Sequence, residues 1–241
     1  MTALLTIERV SKRFRGLTAV DNVSFAVPAG AIFAVIGPNG AGKTTLFNMI
    51  AGTMAPDGGA IIFAGHPIEG LSADAVCRRG IARTFQIVRP FPALTVEDNV
   101  TIGALLHRHD VGAARQRAQE LLRRLDLFDK RQRLASTLTL PDRKRLEVVR
   151  ALATGPQLLL LDEVMAGLRP TETDRMVAIL RELNRDSGLT ILLIEHVMRA
   201  VMALASHVLV LDHGVAIAEG TPDAIVRDPA VVQSYLGAEA V

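Results

Sequence analysis

The 241-residue sequence contains a single cysteine, Cys77, and so cannot form a disulfide bond within the chain. Such a chain suits the reducing cytosol, and we expect it there. One isolated cysteine gives no reason to expect thiol chemistry, so we assign Cys77 no catalytic role. The length and the apolar share of 49% are large enough for a buried core, which predicts a globular protein rather than a disordered one.

Long apolar runs and an excess of one charge are also missing. The longest apolar candidate for a spanning helix, 197–211, is interrupted by Arg199 and His207, and no run approaches ~18 apolar residues. No signal-peptide pattern opens the sequence. The 27 basic and 25 acidic side chains leave a formal net charge of +2, which gives no electrostatic case for a nucleic-acid partner. If the protein serves a membrane, we expect it to act from outside the bilayer.

The most informative segment is glycine-rich and fits the pattern G-x-x-x-x-G-K-[ST]. It reads Gly37-Pro38-Asn39-Gly40-Ala41-Gly42-Lys43-Thr44-Thr45. A buried-strand pattern at 31–36 leads into it, and a helical pattern at 46–51, closed by Gly52, follows it. Strand, loop and helix in this order predict a phosphate-binding loop.

Each part of this loop has a chemical task. The glycines let successive backbone N–H groups point at one anion, and the helix N-terminus adds its partial positive charge. Lys43 should reach the β- and γ-phosphates of a nucleotide. The Thr44 hydroxyl could complete a Mg²⁺ shell, and Thr45 could donate to an α-phosphate. The expected ligands are therefore ATP and Mg²⁺.

Polar residues follow three further apolar strand patterns. The run 158–161 ends at Asp162 and Glu163, the run 81–85 ends at Gln86, and the run 190–194 ends at Glu195 and His196. Carboxyl ends of parallel strands meet at the edge of the sheet where ligands bind. We expect Asp162 to reach the Mg²⁺ shell, Glu163 to orient or deprotonate the attacking water, and His196 to contact phosphate.

The remaining patterns complete an α/β fold. Alternating segments at 4–10 and 23–27 predict an antiparallel sheet near the N-terminus, and the helical pattern at 95–153 predicts an inserted helical subdomain, at about 87–155, in one domain over 1–241. The strands between these features predict a mainly parallel sheet core. Phe14 lies between the two alternating segments. It could stack on an adenine ring, although the pattern alone favours an ordinary core phenylalanine.

The phosphate loop, Gln86, the acidic pair and His196, in this order, resemble the nucleotide-binding subunit of an ABC transporter, and the resemblance runs from 7 to 237. Within that family the sequence is most similar to the ATP-binding proteins of branched-chain amino acid importers. The closer likeness rests on Ser11-Lys12-Arg13-Phe14, Gly16-Leu17-Thr18-Ala19-Val20, Ile81-Ala82-Arg83-Thr84-Phe85-Gln86, Asp162-Glu163-Val164-Met165-Ala166-Gly167-Leu168, Ile194-Glu195-His196 and Ser234-Tyr235-Leu236-Gly237.

The resemblance implies a P-loop ABC-type ATPase fold and several roles. It gives Phe14 the adenine-stacking position, makes Gln86 a metal-site residue that links to the membrane subunits, and makes His196 a γ-phosphate sensor. It also implies two ATPase subunits closed head to tail over two ATPs, transmembrane permease subunits, and a solute-binding receptor reached indirectly. The complex would place this chain at the cytoplasmic face of the inner membrane.

One family motif is altered. Where the family has L-S-x-G-Q facing the second ATPase subunit, this sequence has Leu138-Thr139-Leu140-Pro141-Asp142. Pro141 replaces a glycine whose N–H would meet the partner's γ-phosphate, and proline has no N–H. Asp142 would add a negative charge near that phosphate unless it faces away. We therefore expect a heterodimer with unequal sites, with a homodimer as the alternative.

Three other functions stay open at this point. Importers of urea, amides or other small polar solutes have ATP-binding subunits with much of the same sequence. A soluble ABC ATPase acting on DNA or in cluster assembly should show a long coiled-coil insertion or dedicated cysteines, and neither is visible in the sequence. An ordinary P-loop kinase would need an acceptor site and would leave Gln86, the helical insertion and His196 unexplained.

Overall fold

The computed structural model describes residues 3–85, 90–108 and 110–238. Its central sheet has the strand order β10-β9-β3-β8-β7-β6, and only the outer strand β10 is antiparallel to its neighbour. These strands are β3 (Ile32–Ile36), β6 (Ile81–Arg83), β7 (Leu158–Asp162), β8 (Thr190–Ile194), β9 (His207–Asp212) and β10 (Val215–Gly220). Every residue of β3, β7 and β8 is buried, as expected for strands covered on both faces.

A second, antiparallel sheet has the order β2-β1-β4-β5. Its strands are β1 (Ala3–Phe14), β2 (Leu17–Pro28), β4 (Gly58–Phe63) and β5 (His66–Pro67). The first two form one hairpin that is longer than the alternating segments in the sequence predict, and it turns where Phe14 pairs with Leu17. Several register shifts interrupt the β1–β2 ladder. Each shift breaks the two-residue alternation, so the pattern underestimates the strands.

The helices pack around the two sheets. They are α1 (Lys43–Ile50), α2 (Ala73–Arg78), α3 (Val96–Ala104), α4 (Val111–Arg124), α5 (Leu140–Ala153), α6 (Pro170–Ser187), α7 (Met198–Leu204), α8 (Pro222–Val226) and α9 (Pro229–Ala238). Thr95 caps α3, because its hydroxyl oxygen accepts a hydrogen bond from the Asp98 N–H. Ser72 precedes α2 but makes no cap hydrogen bond, because its hydroxyl donates to the Asp74 carboxylate instead.

The central sheet separates two apolar cores. On one face, Phe33, Val35 and the helix α1 pack against the antiparallel sheet. On the other, Ala34 and Ile36 join α3, α4, α5, α6 and α7. Helices α3 to α5 lie between β6 and β7 in the chain and contact one another. The predicted α/β fold with its two sheets and helical insertion is confirmed. Each helix among the described residues is too short or too polar to span a bilayer.

Candidate nucleotide-binding site

Three strands of the central sheet end at the same level. Val35 of β3 and Asp162 of β7 both pair with Ile194 of β8. The segments that follow these strands therefore begin side by side at the carboxyl edge of the sheet. They carry the phosphate loop, the acidic pair and His196, which the sequence predicted to meet at one edge.

The phosphate loop is shaped by glycines in positive-φ conformations. Gly37 has φ 146°, and a Cβ there would lie 2.0 Å from the Leu211 carbonyl oxygen. Gly42 has φ 97°, and a Cβ there would lie 2.2 Å from the Ala19 carbonyl oxygen. Close backbone contact therefore requires glycine at both ends of the loop. At Gly40 the space around a Cβ is open, and only its φ of 82° favours glycine.

Lys43, at the start of α1, folds back over this loop. Its Nζ donates to the carbonyl oxygens of Gly37 (2.7 Å) and Pro38 (2.8 Å). Burial lowers the pKa of Lys43, while the nearby carboxylates of Glu163 and Asp162 act in the opposite direction. The cation thus lies inside the curl of the loop, between its backbone and the acidic pair.

The other loop residues differ in exposure. Asn39 and Thr44 are exposed, Thr45 is half-buried and Ala41 is buried. Thr44 and Thr45 lie in the first turn of α1, whose leading backbone N–H groups have no partner within the helix. An anion at this position would therefore meet backbone donors, two hydroxyls and the positive end of the helix dipole.

The two adjacent carboxylates occupy different environments. Asp162 is 2% exposed, and its Oδ2 accepts a hydrogen bond from Arg83 Nη2 at 2.8 Å. Its Oδ1 is buried and has no hydrogen-bond partner among the residues that the structure describes. A carboxylate that binds a metal ion keeps one oxygen without a protein hydrogen bond, and Asp162 has such a buried oxygen. The residue therefore fits Mg²⁺.

Glu163 lies at the rim of the site instead. It has φ 49°, its side chain is 18% exposed, and its Oε1 lies 3.9 Å from His196 Nδ1. Because the backbone turns at this residue, the carboxylate of Glu163 is accessible while that of Asp162 stays inside. The pair can therefore serve two different chemical roles.

Arg83 is a site residue that the sequence analysis missed. Its guanidinium joins Asp162 to Asn48 Oδ1 of α1, with a distance of 2.6 Å to the amide oxygen. It thereby ties strand β7 to the helix that follows the phosphate loop. The sequence signal that could have indicated its role is a charged side chain within an otherwise apolar strand pattern. The neighbouring prediction, Gln86, lies outside the described residues.

Phe14 does not lie in the core, where its sequence pattern favours placing it. It is 41% exposed and therefore does not belong to the core. It lies at the tip of the β1–β2 hairpin, with Lys12 Nζ 5.9 Å from the ring centroid. The same hairpin brings Ala19 against Gly42 of the phosphate loop. The ring is thus free to stack on a ligand, as the family resemblance implies.

The C-terminal helix also reaches the phosphate loop, which the sequence did not predict. Tyr235 of α9 is half-buried, and Gln233 and Ser234 of the same helix line one cavity with Pro38 and Gly40 of the loop. Burial raises the pKa of the Tyr235 phenol, and the nearby Gly37 backbone opposes the rise. The tail of the chain is therefore part of the wall of the site.

The altered family motif, 138–142, forms the start of α5. Leu138 is buried, Thr139 is the N-cap, Leu140 is exposed, and Pro141 lies in the first helical turn, where proline is well tolerated. The remaining first-turn amides belong to Leu140 and Asp142. The loop is therefore well formed although the proline offers no N–H.

Asp142 does not face outward as a free charge, which removes the expected repulsion of a nearby phosphate. It is 2% exposed and accepts hydrogen bonds from Lys130 (2.5 Å), Arg145 (2.6 Å) and Thr139 (2.9 Å). Burial alone would raise its pKa, but the hydrogen bonds from Lys130 and Thr139 and the two cations outweigh it and lower the pKa. The sequence could not show these partners, since Lys130 comes from a separate loop.

This network predicts that Asp142→Asn destabilises the fold by on the order of 1–3 kcal/mol at pH 7, because it takes the buried carboxylate away from two partly buried cations, Lys130 and Arg145. A carboxyl group whose pKa is lowered in the folded state stabilises the fold at pH values above its unfolded pKa. This stabilisation is lost as the pH falls through the folded pKa, so the difference in unfolding free energy between wild type and variant should shrink in acid. Urea unfolding at several pH values measures this. Asp174→Asn, at an exposed pair with Arg199, is the control. Equal losses for both variants would contradict the network.

Comparisons with known proteins agree with this geometry. The ABC transporter family model matches residues 20–166. The chain is 37% identical to the high-affinity branched-chain amino acid transport ATP-binding protein BraF of Pseudomonas aeruginosa and 39% identical to LivG of Escherichia coli K12, in each case over 97% of this chain and 98% of the relative. The chain belongs to the ATP-binding proteins of the ABC transporter family.

Three further comparisons add a solved structure, another relative and a second family model. The crystal structure of the ADP conformation of MJ1267, an ATP-binding cassette of an ABC transporter, is 31% identical with a TM-score of 0.89, covering 98% of this chain and 100% of that one. The lipopolysaccharide export system ATP-binding protein LptB of Escherichia coli K12 is 37% identical, over 98% of both chains. A model named branched-chain amino acid ATP-binding cassette transporter matches residues 217–241.

Proposed function

We propose that this chain is the ATP-binding and ATP-hydrolysing motor subunit of an ABC importer for branched-chain amino acids, held at the cytoplasmic face of the inner membrane by permease subunits. The observation that carries the proposal is the meeting of Lys43, Asp162, Glu163 and His196 at one sheet edge. BraF and LivG are named as branched-chain amino acid transport proteins, and these names and the match at 217–241 support the solute class.

The residues divide the work of ATP hydrolysis. Lys43 and the loop amides hold the phosphates, and Phe14 stacks on the base. Glu163, accessible and 3.9 Å from His196, positions the attacking water, while His196 contacts the γ-phosphate. Mg²⁺ held by Asp162 and Thr44, with Gln86 as the third proposed ligand, would neutralise charge on the phosphate oxygens.

The first prediction separates binding from hydrolysis. Lys43→Ala removes the cation inside the loop and should weaken ATP binding. Glu163→Gln keeps shape and binding but should slow hydrolysis by on the order of 10²–10³-fold. ATP titration and single-turnover hydrolysis in the assembled complex measure the two effects. Glu182→Gln, an exposed position on α6, is the matched control. Intact binding in the first variant or normal turnover in the second would remove these roles.

A groove between α3, α5 and strand β6 is the proposed contact with the permease. It has a volume of about 300 Å³, and its lining includes Phe85, Phe91 and Ile102, which are 44–49% exposed. Phe91 is well presented, because its backbone N–H and C=O bond to the Asn99 side chain. Leu94, three residues further along the chain, is half-buried.

Phe91→Ala should therefore uncouple transport from ATP hydrolysis without unfolding the loop, since Asn99 still holds the backbone. We expect solute uptake by the complex to fall at least about tenfold while ATP binding is unchanged, as for a contact residue in an interface core. Val226→Ala removes an apolar side chain on α8 that is more exposed than Phe91, and it should change neither. Loss of ATP binding in the Phe91 variant would show that the segment is structural.

Similarity to LptB at almost the same level favours a second candidate, a motor that exports a lipid. Importers of urea or amides are the third candidate function. Copurification from native membranes separates these functions, because an importer should bring its permease and, through it, a solute receptor. Copurified proteins with branched-chain amino acid binding support the proposal. A lipid-extracting permease or no polytopic partner counts against it.

Pro141 predicts unequal sites in the ATPase dimer. This chain's phosphate loop and Glu163 form one site with an intact partner motif, whereas the motif at 138–142 completes the other without one N–H donor. Loss of such a donor costs on the order of 10²–10³ in rate. In a heterodimeric complex, Glu163→Gln should thus reduce single-turnover hydrolysis far more than the same change in the partner, and Pro141→Gly should reduce the difference. Equal losses would indicate two competent sites.

A further inference from the structure

Two buried ionisable side chains lie behind the turn that carries Glu163 and have no part in the roles above. Lys144 of α5 is 5% exposed and Glu195, directly after β8, is 1% exposed. Burying such groups is unfavourable unless hydrogen bonds compensate for the lost water. Both side chains find those hydrogen bonds on the backbone of the turn.

Three hydrogen bonds hold the backbone of the turn in place. Lys144 Nζ donates to the Glu163 carbonyl oxygen at 2.9 Å. Glu195 Oε1 accepts the Met165 N–H at 2.9 Å, and the Glu163 N–H donates to the Ile194 carbonyl at 3.0 Å. The turn is therefore bound both to the helix α5 and to the end of β8.

The turn needs such support because Glu163 has φ 49°. A residue other than glycine adopts this conformation only where its surroundings determine it. The direction of the Glu163 carboxylate depends on that conformation. If the backbone relaxed to negative φ, the carboxylate would leave its position beside His196.

The environment of Glu195 shows which property of the side chain matters. Burial is the main reason that its pKa rises to about 7; the negative Glu163 adds to the rise, and the Met165 N–H, Lys144 and the His196 N–H oppose it. Its Oε2 is buried without a hydrogen-bond partner among the described residues. The site thus uses one acceptor oxygen, and an uncharged side chain of the same shape could supply it.

We propose that Lys144 and Glu195 are positioning residues for ATP hydrolysis, which hold the turn at 163–166 so that the Glu163 carboxylate faces the nucleotide. This inference rests on the proposed ATPase function.

The test measures kcat, KM for ATP and ATP binding in the complete complex. Glu195→Ala and Lys144→Met should lower kcat by roughly 10–100-fold, as expected for a displaced catalytic group. Both should leave KM and ATP binding within about twofold, because the phosphate loop is untouched. Glu195→Gln keeps the acceptor for Met165 and should stay within about threefold of the wild-type kcat.

Glu97→Ala is the matched control for removal of a buried carboxyl. Glu97 is 4% exposed on α3 and bonds to Gln119 and Gln132, away from the catalytic turn. It should lower Tm without lowering kcat, which separates positioning from general stability. Should Glu195→Ala fail to fold, Glu195→Gln and Lys144→Met decide the question.

Failure of the two ideas can be told apart. A wild-type complex without ATPase activity would overturn the proposed function. An active wild type with unchanged kcat in Glu195→Ala and Lys144→Met would overturn the positioning role alone. A Glu195→Gln variant as slow as Glu195→Ala would overturn the acceptor role, because charge would then be the required property.

Discussion

The site depends on the register in which β3, β8 and β7 pair. Val35 and Asp162 are both opposite Ile194, so three connections leave the sheet at one level. All residues of these strands are buried, and a one-residue slip would move each apolar side chain to the other core. The same packing that stabilises the sheet therefore sets the distance between the phosphate loop and the acidic pair.

The same pairing register also brings side chains of opposite charge together at the sheet edge. Lys43 and Arg83 lie beside Asp162 and Glu163, so two cations and two anions share the edge before any ligand arrives. Buried charges are tolerable only when each has partners. Arg83 binds one oxygen of Asp162 and leaves the other for a metal ion. The proposed nucleotide and Mg²⁺ would therefore meet a site whose charged side chains already have partners.

Much of this could be predicted from the sequence, because apolar runs, glycines and strand-end polar residues are local signals. The phosphate loop, the strands around it and the acidic pair belong to this group. Phe14 and Asp142 do not. The exposure of Phe14 depends on a long hairpin with register shifts, and the inward direction of Asp142 depends on Lys130 from another loop. Arg83, Lys144 and Glu195 were missed for the same reason, since their roles exist only through tertiary hydrogen bonds.

We propose that ATP hydrolysis at this edge of the sheet drives import of branched-chain amino acids. The most direct test of this proposal is uptake of radiolabelled leucine into proteoliposomes that contain the complex copurified with this chain, with ATP supplied on the side of the ATPase subunits. The account predicts leucine uptake that requires hydrolysable ATP and is accompanied by phosphate release. ATP hydrolysis by the same vesicles without ATP-dependent leucine uptake would contradict it.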